Sequence, residues 1–358
     1  MRNTFGTNLT VTLFGESHGP EIGCVLDGLA PGLPVDEAKI ANLLRLRRPA
    51  GATATARVEP DPFRIVSGVL QGRTTGAPLC ILIPNTEQKS GDYVNLKNTP
   101  RPGHADYTAY VKYRGYADPR GGGHFSGRLT APLTAAAGIV LPALEAAGVR
   151  VGTRLARCAG VADRPFADLS ADLAAISDAV FPVLDPARGE EMRSAILAAA
   201  RDGDSVGGIL ETVVCGLPAG LGEPWFDTVE GQLSHMLFSI PAVKGVEFGA
   251  GFALADLRGS EAGDPIAADG GRIVTTANHN GGVNGGLTNA MPLVFRTVVK
   301  PTPTIRKPCQ TVDLATGQAA FVVAGGRHDP CIAPRAAIVQ TAATALVVYD
   351  LLLGARRI

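Results

Sequence analysis

Glycine and proline interrupt this chain so often that tight turns must organise its fold: 44 glycines and 26 prolines occur among 358 residues, both above ordinary usage. They are spread through apolar segments and are not gathered in low-complexity tracts, which marks turns in a packed protein and not a flexible coil. At 46% hydrophobic residues, the chain has material for a substantial core. Lys plus Arg and Asp plus Glu are equal at 33 each, so no overall field favours a nucleic-acid backbone or an anionic membrane. A basic site would have to be local.

Cysteines 24, 80, 158, 215, 309 and 331 are far apart, with no CxxC pair and no zinc-finger spacing, and read as buried free thiols. The first residues lack an apolar core of signal-peptide length, and no later stretch reads as uncharged and apolar for long enough to cross a bilayer. A reducing, cytoplasmic setting follows, with no membrane and no nucleic acid as partner.

Runs rich in β-branched residues and bounded by Gly or Pro predict strands at 9–14, 63–70, 79–84, 209–216, 244–252 and 319–323. Between them, helices are predicted at 35–48, 130–147, 169–179, 186–202 and 334–353. The first of these opens with Asp36 and Glu37 and closes on Arg45, Arg47 and Arg48, charges that complement the helix dipole. The last spaces Ile338, Ala342, Ala345, Leu346, Tyr349 and Leu352 along one face, a core or subunit-packing stripe. No repeat or composition break divides the chain, so residues 1–358 are expected to form one large mixed α and β domain.

Five glycine-rich turns carry most of the unusual chemistry: GESHG at 15–19, RPGHADY at 101–107, RGGGHFSGRLT at 120–130, NHNGGVNGG at 278–286 and GGRHDPC at 325–331. Glycines bare the backbone N–H groups, and arginine offers a planar fork matched to phosphate or carboxylate oxygens. Together these turns describe a site for an anionic ligand. RGGGHFSGRLT runs into a helix, which places Ser126, Gly127 and Arg128 to hold an anion at its N-terminus. It is neither of the common nucleotide-binding fingerprints.

Individual residues keep two readings at this point. His104, two residues before Asp106, is an acid or base near neutral pH or a surface ion pair. Asp329 is a base or a cap for the terminal helix. His235, in LSHMLFSI, reads as a helix packing residue, and His279 sits in a ligand-accessible turn. No histidines have metal-ligand spacing, and Ser17 directly before His18 cannot share a hydrolase-type hydrogen bond on an extended chain.

GESHG, RRP, RPGHADY, RGGG..S.R.T, GDSVGG, GLGEP, AVKGVE.G.GF, NH.GG..GG, KPTPTI and RHDPC occur in this order over essentially the whole chain and closely resemble the chorismate synthase family. The resemblance implies a β-α-β sandwich, a homotetramer and a reduced FMN cofactor. It implies the 1,4-elimination of phosphate and a proton from 5-enolpyruvylshikimate 3-phosphate, with no net redox change. By the same resemblance His18, His104 and Asp329 are catalytic. Ser17, Arg47, Arg48, Arg101, Arg128 and Arg327 bind substrate. His124, Phe125, Ser126, Pro241, Ala242, Gly285, Lys300, Pro301, Thr302, Pro303, Thr304 and Arg327 bind the flavin.

The chain departs from the family at two places. Many members have Arg-Ser-Ser-Ala-Arg-Glu-Thr where residues 124–130 here read HFSGRLT, exchanging an arginine for His124 and a glutamate for Leu129. After Arg47-Arg48-Pro49 the usual further arginine is missing between Ala50 and Ala56. The first change weakens the expected flavin contact at 124; the second weakens an expectation of NADPH binding and favours flavin reduced by an external reductase. A net oxidoreductase is disfavoured by the lack of a nicotinamide fingerprint. A non-catalytic relative is disfavoured by the presence of His18, His104 and Asp329.

Overall fold

The computed structural model describes residues 3–55, 59–86, 98–323 and 328–357. Two five-stranded antiparallel sheets enclose a layer of helices. The first sheet runs Thr4–Phe5, Thr10–Gly15, Glu21–Asp27, Leu79–Pro84 and Arg64–Ser67 in spatial order. The second runs Val243–Phe248, Leu293–Val299, Gly208–Cys215, Arg150–Cys158 and Val161–Ala162. The helix Thr130–Ala146 lies against the first sheet, the terminal helix Ala333–Gly354 lies against the second, and the two helices pack on each other and on Glu37–Arg47. This is the β-α-β sandwich.

Small residues make that middle layer possible. A Cβ on Gly138 would meet Ile40 Cγ1 at 2.6 Å, so only glycine lets the Thr130–Ala146 and Glu37–Arg47 helices approach this closely. The terminal helix is buried on all sides from Val339 to Leu352 and not along one stripe, because it has a sheet on one flank and helices on the other. Its buried Gln340 is paired on both sides: it accepts from Thr297 at 2.5 Å and donates to Thr212 at 2.8 Å. Asp350 accepts backbone N–H bonds from Thr7, Asn8 and Leu9 and so ties the N-terminal segment to the helix end.

Several sequence expectations change here. The run at 63–70 splits at Gly68, whose φ of 84° breaks the strand into Arg64–Ser67 and Val69–Leu70. The run at 244–252 stops at Phe248, because Gly249 and Gly251 take positive φ and lead into a 3₁₀ turn. Cys24, Cys158 and Cys331 are buried, but Cys80, Cys215 and Cys309 are only partly so. Two segments, Gly127–Ala146 and Ala333–Gly354, are long and apolar enough to span a bilayer, contrary to expectation. Their apolar windows are 72% and 89% buried inside the protein, which makes them core helices of the sandwich.

Candidate functional site

A cavity of about 710 Å³ opens between the sheets, within the range of about 300–1,000 Å³ that ligand clefts occupy. Its lining includes Arg47, Arg101, His104, Arg128, Lys300, Asp329 and the glycine turn that follows Arg120. Phe125, Met236, Phe238, Ile240 and Val243 form an apolar portion of the wall.

The glycine turn is built around histidines. Gly121, Gly122 and Gly123 have φ of 59°, 83° and 53°, conformations that other residues adopt at a cost. A Cβ on Gly121 would lie 2.8 Å from His18 Nε2 and 2.9 Å from Ser17 Oγ, and one on Gly122 would lie 3.2 Å from His104 Cε1. Ser17 N–H donates to the Gly123 carbonyl at 3.0 Å, which fixes GESHG against this turn. Ser17 and His18 are buried at 2% and 5% exposure. The glycines therefore make room for two imidazoles, a different use from the phosphate cradle that glycine-rich sequence suggests.

His104 Nδ1 lies 2.6 Å from Asp106 Oδ1, so Nδ1–H donates and Nε2 is the nitrogen left toward Gly122. Arg101 grips the same carboxylate through Nε and Nη2, each at 2.8 Å, and through its backbone N–H at 3.0 Å. Burial by itself would raise the Asp106 carboxyl, but hydrogen bonds and charge from Arg101 and His104 outweigh it and hold the group well below the usual carboxylate range. His124 donates Nδ1–H to the Gly15 carbonyl at 2.8 Å, so it too presents Nε2 as its free ring nitrogen.

Across the cavity, arginines share two buried carboxylates. Arg47 bonds Glu59 and lies 3.3 Å from Asp61; Arg128 bonds Asp61 and lies 3.5 Å from Glu59. Arg48 Nε is 3.8 Å from Asp61, and its guanidinium reaches the Pro60 carbonyl. Burial lowers the Arg128 guanidinium from its ordinary value against the opposing pull of Asp61, with Arg47 alongside adding to the fall. Such a group gains from an additional anion.

Asp329 accepts from Thr55 N–H at 2.8 Å and from the Arg335 guanidinium. It does not cap the terminal helix, whose N-cap is Ile332. Lys300 bonds the Gly103 carbonyl, which joins the KPTPT segment to the RPGHADY turn, and Arg101 donates to Thr304 at 3.2 Å. Thr302 Oγ is buried at the cavity with no hydrogen-bond partner among the described residues, the kind of orphan that a ligand satisfies.

Other candidates fall elsewhere. Gly285 sits in the turn joining Val283–Asn284 to Leu287–Thr288, and Gly285 and Pro301 are not among the described residues lining the cavity. Arg327 lies outside the described residues. His279 pairs with Asp264 at 3.0 Å in a structural knot that Asn280 completes at 2.8 Å. His235, read from sequence as a packing residue, does lie edge-on to Phe5 at 5.1 Å, but it also lines the cavity. Sequence reasoning missed Glu59, Asp61, Thr55 and Arg335, because their partners lie up to 288 residues away in the chain. The Glu-Pro-Asp run at 59–61, two acids on either side of a proline, was the one available signal.

A model of the chorismate synthase family matches residues 9–353 of the chain. Chorismate synthase of Aeropyrum pernix is 48% identical over 353 residues, covering 98% of this chain and 93% of the relative. That of Korarchaeum cryptofilum is 43% identical over 356 residues, covering 99% and 98%. That of Cupriavidus pinatubonensis is 44% identical, covering 97% and 92%. The crystal structure of a chorismate synthase superposes with a TM-score of 0.75 at 26% identity and covers 98% of this chain and 93% of its own.

Proposed function

This chain belongs to the chorismate synthase family, lyases that eliminate phosphate from 5-enolpyruvylshikimate 3-phosphate in aromatic biosynthesis, and on that premise we propose how its residues divide the reaction. The observation that carries the assignment is the joining of two kinds of group in one cavity: His104, with His18 behind Gly121, on one wall, and Asp329 with its arginines on another.

Arg47, Arg48, Arg101, Arg128 and Arg327 bind the phosphate and carboxylates of the substrate, and Ser17 hydrogen-bonds beside them. Glu59 and Asp61 hold Arg47 and Arg128 in place before substrate arrives, so little ordering is left for the binding step. His18 donates a proton or hydrogen bond to the departing phosphate oxygen, which leaves with the electrons of the broken C–O bond. Asp329 takes part in removing the proton from the substrate carbon, and the C–H electrons become the new double bond. His104, its Nδ1–H committed to Asp106, moves a proton at Nε2.

The residues present fit FMN: Lys300, Thr302 and Thr304 supply a cation and hydroxyls for its phosphate, and the orphaned Thr302 hydroxyl supports this. Phe125, Pro241 and Ala242 would border the flavin and exclude water, with His124, Ser126 and Pro303 also on the cavity wall, whereas Gly285 and Pro301, carried over from the family resemblance, are not among the described residues lining this cavity. Reduced FMN, when bound, supplies electron density beside the breaking bond and is returned reduced. The arginine missing between Ala50 and Ala56 supports an external flavin reductase over NADPH use by this chain. Trp225 and Phe226, 86% and 92% exposed, support burial in a homotetramer, and the absence of disulfides among the six thiols suits the cytoplasm.

Asp329→Asn tests the assignment. It is expected to keep FMN and substrate binding and lose turnover by about 10²- to 10⁴-fold, the usual share of a proton-transfer group. Turnover like that of the unaltered enzyme would remove Asp329 from the mechanism.

A further inference from the structure

The Asp329 carboxylate has both oxygens engaged by protein donors from distant segments. Thr55 N–H reaches Oδ1 at 2.8 Å, and Arg335 Nη1 reaches Oδ2. Arg335 stands in the first turn of the terminal helix, and its other nitrogens are also occupied. Nε donates to the Arg47 carbonyl at 2.9 Å, where the Glu37–Arg47 helix ends, and Nη2 lies 3.6 Å from Glu59 Oε2. The fork is thus fixed in plane by contacts on three sides. The side chain of Asp329 is 6% exposed and that of Arg335 is 19% exposed, so this is a part-buried pair and not a solvated surface bridge.

We propose that Arg335 is the positioning residue for Asp329: it locks the carboxylate plane so that a remaining lone pair faces the cavity where the substrate proton is removed. This rests on the reading of Asp329 given above. A carboxylate offers about four lone-pair sites. Thr55 and Arg335 each take one, and what remains is directed by where those two donors sit. Because Arg335 is itself held by the Arg47 carbonyl and by Glu59, the base and the substrate-binding arginines are set by one connected framework. The Arg335 guanidinium is bonded to Asp329 and to the Arg47 carbonyl, whereas Arg101 and Arg128 are anchored on Asp106 and Asp61, so of these three arginines it is Arg335 that is coupled to the base.

The test compares Arg335→Met, Arg335→Lys, Asp329→Asn and the double variant Asp329→Asn with Arg335→Met, by kcat and KM for 5-enolpyruvylshikimate 3-phosphate and by FMN affinity from fluorescence quenching without turnover. Arg335→Met is expected to lower kcat by about 10- to 100-fold, the scale for loss of alignment at a reacting centre. KM and FMN affinity should stay unchanged, and Arg335→Lys should recover part of kcat. The double variant should be no slower than Asp329→Asn, because the two act as a unit. A raised KM with kcat preserved would overturn the proposal by making Arg335 a substrate ligand. Multiplying losses in the double variant would overturn it by making the two independent. If Arg335→Met does not fold, Arg335→Lys carries the same comparison. Full turnover in Asp329→Asn would sink the reading of Asp329 itself, whereas loss there with full kcat in Arg335→Met would sink the positioning role alone.

Discussion

His104 donates Nδ1–H to Asp106 at 2.6 Å while Arg101 holds both oxygens of the same carboxylate. One side chain therefore fixes the tautomer of His104 and also the posture of an arginine that lines the cavity. Asp106→Asn should lower kcat by at least about tenfold, within the share that a positioned acid or base contributes, and should raise KM as Arg101 loosens. Steady-state kinetics measure both, and a change in neither would show that the carboxylate supports the turn alone.

The same carboxylate makes a prediction about acid. Its folded value lies below its unfolded one, so the stability it contributes is fully present above the unfolded value, about 3.9, and is lost as pH falls through the folded value. Thermal melts of the unaltered protein and Asp106→Asn should differ at pH 6, and the difference should shrink below about pH 4. A difference that grows on acidification would contradict the assignment.

Gly121→Ala and Gly127→Ala separate the two uses of glycine in the 120–130 turn. At Gly121 a methyl meets His18 Nε2 at 2.8 Å and a φ of 59°, whereas at Gly127 nothing lies within 4 Å. The first should lose turnover and about 1–2 kcal/mol of stability through left-handed backbone strain, and the second should leave both nearly unchanged. Equal effects, read by kinetics and denaturant melts, would mean that the turn does not seat the histidine.

Asp350→Ala probes the fold away from the cavity. Losing three backbone N–H bonds to a charged acceptor should cost about 2–3 kcal/mol or more, the scale of a charge-assisted bond. Denaturant unfolding measures it, and FMN affinity at saturating stability should hold.

The predicted helices 130–147 and 186–202 appear within a residue of where composition put them, because alanine-rich runs with Pro in the first turn bear their own signals. Central strands were harder. Arg150–Cys158 carries three arginines and Leu293–Val299 one, and Arg154 is buried only because Glu211 at 2.6 Å and Asp163 at 3.2 Å neutralise it. No local pattern encodes a partner that arrives from another strand. The glycine turns at the cavity were legible because glycine beside His, Arg and Ser is unusual in any context. Glu59, Asp61 and Arg335 were not, because ordinary charged residues gain meaning from their tertiary partners. The terminal helix was located, but its all-round burial reflects two flanking layers that a single helix cannot announce.

The most direct test of the account is an anaerobic reaction of the purified protein with chemically reduced FMN and 5-enolpyruvylshikimate 3-phosphate, following chorismate, released phosphate and the flavin spectrum together. The account predicts chorismate and phosphate in equal amounts with the flavin still reduced at the end. Flavin oxidised in step with substrate loss would contradict it.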